Sequence, residues 1–200
     1  MNTFDSPYGA TPLDPSELDG LKVRNVSTRG QLDQLEAAGV AAGLLWLKRR
    51  KHLDTLTDAF LRELHRRMFS RIWTWAGTYR TTEKNIGIDP LYIAVQVREL
   101  LEDARFWLAH NTHSRVVFAA HFHHRLVQIH PFPNGNGRLA RIATNGILEN
   151  AMKVSPVVWG KGKAHAIAED EQRDTYIEAL RCADGRDINP LVRYLESNET

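Results

Sequence analysis

The chain lacks several features that define whole classes of protein. It has one cysteine, Cys182, among 200 residues, which excludes an internal disulfide framework. Its net charge is only +2, so it has no strong electrostatic signature of nucleic-acid binding. No apolar run approaches the ~20 residues that cross a bilayer, and no hydrophobic segment follows a basic start. We therefore expect a cytoplasmic protein that binds neither membranes nor nucleic acids.

One basic cluster, from Lys48 to Lys51, stands out against this weak charge pattern. It lies at the end of a predicted apolar helix, where basic side chains complement the helix dipole and stay solvated. The alternative interpretation is a helical adaptor that binds nucleic acid through this cluster. The low net charge disfavours that alternative.

What the sequence does contain is a succession of apolar repeats with helical spacing. A hydrophobic content of 42% in 200 residues is enough for one domain with a substantial core. Thr28 has the position of an N-cap for a helix that runs through Leu47. Residues 1–27 contain prolines and glycines with little periodicity, which predicts an extended N-terminal arm before a single all-α domain over 28–200. Further helices are predicted over 58–71, 90–109, 114–129, the segment after 136, 163–182 and 188–197.

A group of histidines near the middle of the chain invites a metal-site interpretation. His121, His123 and His124 lie close to His130, but no cysteine pair and no zinc-protease Glu accompany them. We therefore interpret the first three as packed or solvated side chains and expect no metal site there.

The most informative stretch begins at His130 and covers twelve residues. Gly135 to Gly137 can turn the backbone tightly just before a predicted helix, whose N-terminus attracts anions. Arg138 and Arg141 lie three residues apart on that helix, where two guanidinium groups can grip phosphates. A histidine with an unperturbed pKa of ~6.5 can take a proton from an attacking hydroxyl. The pattern predicts phosphate chemistry, whereas the Asn-Gly dipeptide alone would indicate a turn that caps a surface helix.

This stretch resembles the signature of the Fic/Doc (Fido) family, His-x-Phe-x-acid-Gly-Asn-Gly-Arg-x-x-Arg. A second element, Trp75-Ala76-Gly77-Thr78-Tyr79-Arg80, resembles the Trp-Ala-Gly-x-x-Arg sequence that precedes the flap in this family. In its length and in its Pro-Asn-Gly-Asn-Gly-Arg sequence, the chain most resembles the subgroup called mobile mystery protein B. The resemblance implies a Fic-type helical bundle with a short β-hairpin flap over the active site.

The resemblance also implies an activity, the transfer of AMP from ATP to a Ser, Thr or Tyr hydroxyl of a target protein. His130 would then be the general base. Gly137 favours AMP transfer, because the Doc branch of the family, which acts as a kinase, has Lys at this position. The alternative is a catalytically weak nucleotide-binding regulatory protein or a toxin-like partner in a toxin–antitoxin pair. The phosphate-binding residues that the resemblance implies are Gly135, Asn136, Gly137, Arg138 and Arg141.

One position departs from the family pattern. Asn134 stands where most members have the Asp or Glu that holds Mg²⁺. An amide oxygen can ligate a hard cation, but without the negative charge, and Mg²⁺ usually relies on carboxylates plus substrate phosphates. We therefore expect Mg²⁺ or Mn²⁺ to be held mainly by the ATP phosphates, with a higher Mg²⁺ requirement than in relatives that carry the acid.

Between Arg80 and Pro90 lies a short polar stretch in which two isoleucines flank a glycine. Its spacing alone fits a hairpin or an ordinary loop between helices. The resemblance favours a flap on which a segment of the target protein docks by strand addition, through backbone hydrogen bonds. The predicted flap residues are Lys84, Asn85, Ile86, Gly87 and Ile88.

Many family members carry an inhibitory motif, Ser/Thr-x-x-x-Glu-Gly/Asn, whose Glu pairs with the second signature arginine. No Glu in this chain has Ser or Thr four residues before it. The nearest candidate, Glu36, has Leu32 and Ala37 at the defining positions. We therefore expect restraint from an antitoxin-like partner in trans rather than from within the chain.

Overall fold

The computed structural model describes residues 14–26, 28–50, 53–160 and 170–199, and its regular structure is helical. Within these residues the chain forms eight α-helices and no β-strand, which confirms the predicted all-α class. A 3₁₀ turn, Pro90–Tyr92, leads into the helix that begins at Ile93, and a π-helical turn, Leu148–Met152, follows the helix that ends at Ile147. The helices are α1 (Pro15–Leu18), α2 (Arg29–Lys48), α3 (Asp58–Phe69), α4 (Ile93–His110), α5 (Arg115–Ile129), α6 (Asn136–Ile147), α7 (Asp170–Asp184) and α8 (Asn189–Ser197).

Side-chain caps explain where several of these helices begin. The Thr28 hydroxyl accepts a hydrogen bond from the Gln31 amide at 3.3 Å, and the Gln31 side chain accepts one from the Thr28 amide at 3.2 Å. This capping box satisfies two amide groups that the first turn leaves unpaired. Thr57 and Ser114 cap α3 and α5 through their hydroxyls. The start of α2 is therefore confirmed at the predicted residue.

Helices α5 and α6 lie at the centre of the domain. Helix α5 packs against α4, α6, α7 and α8, while α6 packs against α2, α3 and α5. Nearly every side chain of α6 is buried, and the buried apolar residues from α2 to α8 form one continuous core. Because α6 is surrounded in this way, its first turn is held rigidly in place.

No helix among the described residues combines the length and apolarity needed to cross a membrane.

The N-terminal arm differs from the extended segment that we expected. Residues 1–13 lie outside the described part of the chain, but Pro15–Leu18 is helical. Asp14 explains this local turn, because its side chain accepts from the Ser16 amide at 3.0 Å and a proline occupies the first helical position. Further on, Lys22 donates its amide hydrogen to the Ile72 carbonyl at 2.8 Å, which docks the arm on the loop after α3.

The helix predicted over 163–182 is confirmed in its second half only. Residues 161–169 lie outside the described part of the chain, and α7 continues to Asp184. The predicted helix over 188–197 corresponds to α8. Both helices pack against α5, so they close the side of the bundle next to the signature helix.

Candidate active site

His130 lies where α5 ends and the signature loop begins. Its backbone is in the left-handed region, with φ 54°, while its amide still donates to the Leu126 carbonyl at 3.2 Å. A left-handed residue terminates a helix and redirects the chain, and it is uncommon for a residue other than glycine. The residue is 5% exposed. The predicted base therefore sits on a sharp turn that leads directly to the N-terminus of α6.

The loop between His130 and α6 is braced from within. The Asn136 side chain accepts a hydrogen bond from the Phe132 amide at 2.9 Å and donates one to the Phe132 carbonyl at 2.7 Å. Phe132 is fully buried and Asn136 is 2% exposed. The Asn136 side chain therefore serves the loop, and any phosphate contact from this residue has to come from its backbone.

A second histidine, which the sequence patterns did not indicate, packs against the same loop and supports it. His65 of α3 accepts a hydrogen bond from the Gly77 amide on Nδ1, at 2.9 Å, so its Nε2–H donates to the Asn134 carbonyl at 3.0 Å. Its ring stacks on Phe132 with a centroid distance of 3.9 Å. Burial lowers the pKa of His65 to about 3, which keeps the ring neutral. His65 thus joins the Trp-Ala-Gly turn to the signature loop.

Gly135 shapes the entrance to α6. Its φ of 80° is in the left-handed region, and a Cβ here would lie 2.5 Å from Cε2 of Phe69. Glycine also leaves α6 without a side-chain N-cap, so the amide groups of the first turn can receive an anion. At Gly137, a Cβ would meet only the Arg141 guanidinium among the described residues, at 3.6 Å. The first turn of α6 is therefore open on this side.

The first signature arginine is engaged inside the chain. Arg138 Nη1 forms an ion pair with Glu36 Oε2 at 2.8 Å, and the other carboxylate oxygen accepts from Trp73 Nε1 at 3.0 Å. Glu36 is 1% exposed. Because the chain lacks the inhibitory motif, the sequence did not predict this contact. A signal was present nonetheless, because Glu36 lies on the same helical stripe of α2 as the buried Leu32 and Leu47.

The second signature arginine points towards the other side of α6. Arg141 is 9% exposed, and its guanidinium lies 6.0 Å from the centre of the Tyr176 ring in α7. The Tyr176 hydroxyl in turn lies 2.7 Å from His123 Nε2. Burial lowers the pKa of Arg141. The two arginines therefore flank the first turns of α6, one facing α2 and the other facing α7.

The predicted metal ligand is also held by its neighbours. The Asn134 side-chain oxygen accepts a hydrogen bond from the Gly135 amide at 2.6 Å. His123, one of the histidines considered above, packs on Trp159 at 4.2 Å. In the described part of the chain, no group of three or more His, Cys, Asp or Glu side chains is arranged to hold a metal ion. Asn134 can therefore offer a cation one neutral oxygen, with a lone pair that remains after the bond to Gly135.

The flap is a loop and not the hairpin that we expected. No strand pairing occurs over residues 81–89. The reason is that Arg80 takes the place of a partner strand: its guanidinium donates to the carbonyls of Thr82 at 2.8 Å and Ile88 at 2.5 Å. The same side chain donates to the His130 carbonyl at 2.6 Å. Arg80 therefore joins both ends of the flap to the residue predicted as the base.

The middle of the flap lies directly against His130. Gly87 has φ 106°, and a Cβ on it would lie 2.7 Å from the His130 Cβ. Ile86 is exposed, at 42%. Lys84, in contrast, forms a buried ion pair with Glu17 of α1, and only 4% of its side chain is exposed. Of the predicted docking residues, Lys84 is thus directed inward.

The surroundings of His130 suit a proton acceptor. Burial lowers the pKa of His130 to about 4, with smaller contributions from the positive charges of Arg80 and Lys84. The imidazole is therefore neutral at pH 7 and able to accept a proton.

Two sequence elements of this site, the Trp-Ala-Gly turn and the stretch from His130 to Arg141, fall within one family match. The chain matches the Fic/DOC family model over residues 55–148. Residues 55–148 form a Fic/DOC family domain. The predicted Fic/Doc domain is thereby confirmed over these residues.

The Fic domain has curated relatives that are protein adenylyltransferases. Fic-1 of Caenorhabditis elegans is 30% identical over an alignment of 174 residues that covers 80% of this chain and 31% of that protein. Fic of Drosophila grimshawi is 32% identical over an alignment of 145 residues that covers 70% of this chain and 28% of that protein. This chain therefore spans about a third of the length of these relatives or less.

Solved structures share the architecture of the Fic domain. Residues 134–508 of C. elegans Fic-1 superpose with a TM-score of 0.66 at 27% identity, covering 90% of this chain and 52% of that one. A Fic-domain signalling protein from Bacteroides thetaiotaomicron gives a TM-score of 0.64 at 23% identity, covering 93% of this chain and 87% of that one. The second likeness concerns the fold alone.

Proposed function

We propose that this Fic domain is a protein adenylyltransferase that transfers AMP from ATP to a Ser, Thr or Tyr hydroxyl of a target protein. The observation that carries the proposal is the position of the neutral His130 imidazole at the turn that leads into the uncapped N-terminus of α6. Such a site offers a proton acceptor beside an anion-binding helix end. The activity of the adenylyltransferase relatives supports it.

The proposed reaction is an in-line displacement at the α-phosphorus. The target hydroxyl gives its proton to the His130 imidazole while its oxygen bonds to the α-phosphorus. The bond between that phosphorus and the bridging oxygen breaks, and pyrophosphate leaves. The backbone amides of Asn136 and Gly137 and the guanidinium groups of Arg138 and Arg141 would stabilise the negative charge of the phosphates. The Gly135 amide would join them only by giving up its hydrogen bond to the Asn134 side chain. Most of the rate enhancement then comes from positioning and fixed positive dipoles.

We propose that ATP binds together with Mg²⁺ or Mn²⁺. A structure with this fold, BepC of Bartonella tribocorum, has AMPPNP bound. At this turn the protein offers a hard cation the neutral Asn134 oxygen, so the nucleotide phosphates would supply most of its ligands. The metal would supply charge neutralisation to the leaving pyrophosphate.

Replacing Asn134 with Asp tests this division of the metal ligands. A carboxylate at this position adds a charged ligand, so we expect the Mg²⁺ concentration for half-maximal AMP transfer to fall by about tenfold, which corresponds to ~1.4 kcal/mol. The measurement is the initial rate of labelling against Mg²⁺ concentration at saturating ATP. An unchanged requirement would show that Asn134 does not face the metal.

The experiment that tests the function uses ATP labelled on the α-phosphate. The protein is incubated with this ATP, Mg²⁺ or Mn²⁺, and a host lysate, beside a His130→Ala variant. We expect label on a protein only with the intact histidine. ATP labelled on the γ-phosphate is the control for a kinase and should leave no label. Label that persists in His130→Ala would exclude the proposed base.

The second candidate is a nucleotide-binding regulatory protein of low activity. The ion pair between Arg138 and Glu36 favours it, because an arginine needed for the outer phosphates is already neutralised. ATP binding without label on any lysate protein would support this function.

We also propose a toxin-like role with an antitoxin-like inhibitor in trans, as the sequence resemblance implies. Glu36 offers a second source of restraint, since it lies within the chain. Co-expression with the product of a neighbouring small gene should relieve toxicity if the inhibitor acts in trans. The assignment to the mobile mystery protein B subgroup rests on similar chain length and on the sequence from Pro133 to Arg138, and it remains a prediction.

A further inference from the structure

The arm and the flap are joined by a buried carboxylate. Glu17 belongs to the short helix α1, yet it is only 7% exposed. Its Oε1 accepts a hydrogen bond from the Thr82 hydroxyl at 2.7 Å, and its Oε2 forms the ion pair with Lys84. The side chains of Lys84 and Glu17 are 4% and 8% exposed. Two segments that are distant in sequence are thus connected through charges removed from water.

The position of Glu17 is itself determined by the body of the domain. Its backbone carbonyl accepts a hydrogen bond from Trp75 Nε1 at 3.0 Å. Three residues later, the Gly20 carbonyl accepts one from the Thr74 amide at 2.8 Å. Both donors lie in the loop after α3 that contains the Trp-Ala-Gly turn. The arm therefore holds the Glu17 carboxylate in place against the body of the domain. The position of the flap then depends on the position of that carboxylate.

The start of the flap, which Glu17 contacts, is connected through Arg80 to the end of the flap and to His130. Arg80 bonds to the carbonyls of Thr82, Ile88 and His130, so the start of the flap, its end and the base share one guanidinium. Gly87 lies between these anchor points, in contact with His130. A displacement at Thr82 therefore changes where the exposed edge of the flap lies relative to the imidazole.

We infer that Glu17 is a positioning residue for the flap: through Thr82 and Lys84 it sets the height and register of residues 84–88 over His130. The inference deepens the proposed function and rests on it in one respect, that a target segment docks on the flap. Removing the carboxylate leaves the Lys84 ammonium in low-dielectric surroundings without its neutralising charge, which is unfavourable. The flap then moves so that the ammonium reaches water. In the proposed function the nucleotide phosphates bind at α6 rather than at the flap, so we expect ATP affinity to be preserved.

Amide hydrogen exchange tests the inference without requiring catalysis. Three variants of the full chain are compared with the wild type: Glu17→Gln, the double variant Glu17→Gln/Lys84→Gln, and Glu102→Gln. The last removes an exposed ion pair with Arg98 on α4 and is the matched control. We expect exchange over residues 82–88 to be at least tenfold faster in Glu17→Gln, with α5 and α6 unchanged. The double variant, which leaves no charge on either member of this pair, should return to within threefold of the wild type.

The rescue separates positioning from a general loss of stability. If Glu17 only stabilised the fold, exchange would rise in the arm, the flap and α6 together, and a second change at Lys84 would not reverse it. Either that pattern or an unchanged flap in Glu17→Gln would overturn the inference.

Activity provides a second, separate readout. With α-labelled ATP and lysate, Glu17→Gln should label proteins at least fivefold more slowly than the wild type, while its dissociation constant for ATP, measured by calorimetry, stays within twofold. Full labelling despite rapid flap exchange would also overturn the inference. Absence of label in the wild type would count against the proposed function, whereas the exchange result would still decide the role of Glu17.

Discussion

At the scale of single residues, the low pKa of His130 makes a direct prediction about activity. The value of about 4 follows from burial and from the charges of Arg80 and Lys84. Because a protonated imidazole cannot accept a proton, activity should fall only when the pH approaches this value from above. A histidine with a pKa of ~6.5 would lose about tenfold in kcat/KM between pH 7 and pH 5.5. We expect a loss of less than about twofold over this range, with ATP saturation checked at each pH. An acid limb near pH 6.5 would contradict the assigned environment.

His65 carries a second prediction at this scale, because its two nitrogens satisfy two backbone groups of the site. In His65→Leu the Gly77 amide and the Asn134 carbonyl lose their partner, at a cost of about 2–4 kcal/mol in unfolding free energy. We expect ATP affinity to fall about tenfold as well, since the signature loop loses its support. His65→Gln, which can still donate to Asn134, should bind ATP more tightly than His65→Leu. The exposed His110→Gln is the control, and calorimetry and thermal unfolding are the measurements. Wild-type ATP affinity in His65→Leu would remove His65 from the site.

The same residues show which parts of the site could be predicted from the sequence. His130, Gly135 and Arg138 are neighbours along the chain, and a helix–turn–helix geometry brings them together by local rules alone. His65 and Glu36 reach the site across many residues, through contacts that the packing of α2 and α3 determines. Polar residues within apolar stripes are the signal that reveals such positions, although the stripe does not identify their partners.

At the scale of secondary-structure elements, the contact between α2 and α6 predicts a restraint on nucleotide binding. Glu36→Gln keeps a hydrogen-bond acceptor for Trp73 but removes the charge that neutralises Arg138. The freed guanidinium can then bind an outer phosphate, so we expect ATP affinity to rise by about three- to tenfold, or ~0.7–1.4 kcal/mol. Loss of a buried charge pair should lower the melting temperature at the same time.

The matched control for this variant is Glu63→Gln, which removes a partly exposed carboxylate that pairs with Arg66 and Arg67 on α3. Calorimetric titration of ATP and the rate of AMP transfer are measured for both variants. Equal or weaker ATP binding in Glu36→Gln would show that Arg138 and Glu36 form a structural pair only.

The elements also differ in how well the sequence predicted them. The start of α2 could be predicted because Thr28 and Gln31 form a local capping box. The prediction of a hairpin at residues 81–89 was wrong because the hydrogen-bond partners of this segment are not local. Its backbone bonds go to Arg80 and to the Ile129 carbonyl, outside the flap, and the alternating isoleucines carry no information about such partners. Local caps are encoded by neighbours, whereas loops over a site take their shape from the surface beneath them.

At the scale of the whole molecule, three histidines that are buried within the described part of the chain link stability to pH. Burial lowers the pKa of His65 to about 3, lowers that of His130 to about 4, and also lowers that of His123. Between pH 6.5 and those values the unfolded chain binds protons that the folded chain does not. Stability is therefore fully present above about pH 6.5 and is lost as the pH falls. Each histidine contributes a slope of about 1.4 kcal/mol per pH unit in this window.

Urea unfolding at pH 7, 6 and 5 measures this dependence. We expect the unfolding free energy to fall by up to about 4 kcal/mol per unit below pH 6 if all three histidines contribute. His65→Gln should reduce the slope by about a third, because its side chain does not titrate, even though the variant is less stable at pH 7. His110→Gln, at an exposed position, is the control. A slope that stays the same in His65→Gln would mean that His65 is charged in the folded protein, and the hydrogen bonds that join α3, the Trp-Ala-Gly turn and the signature loop would then need a different tautomer and a different arrangement.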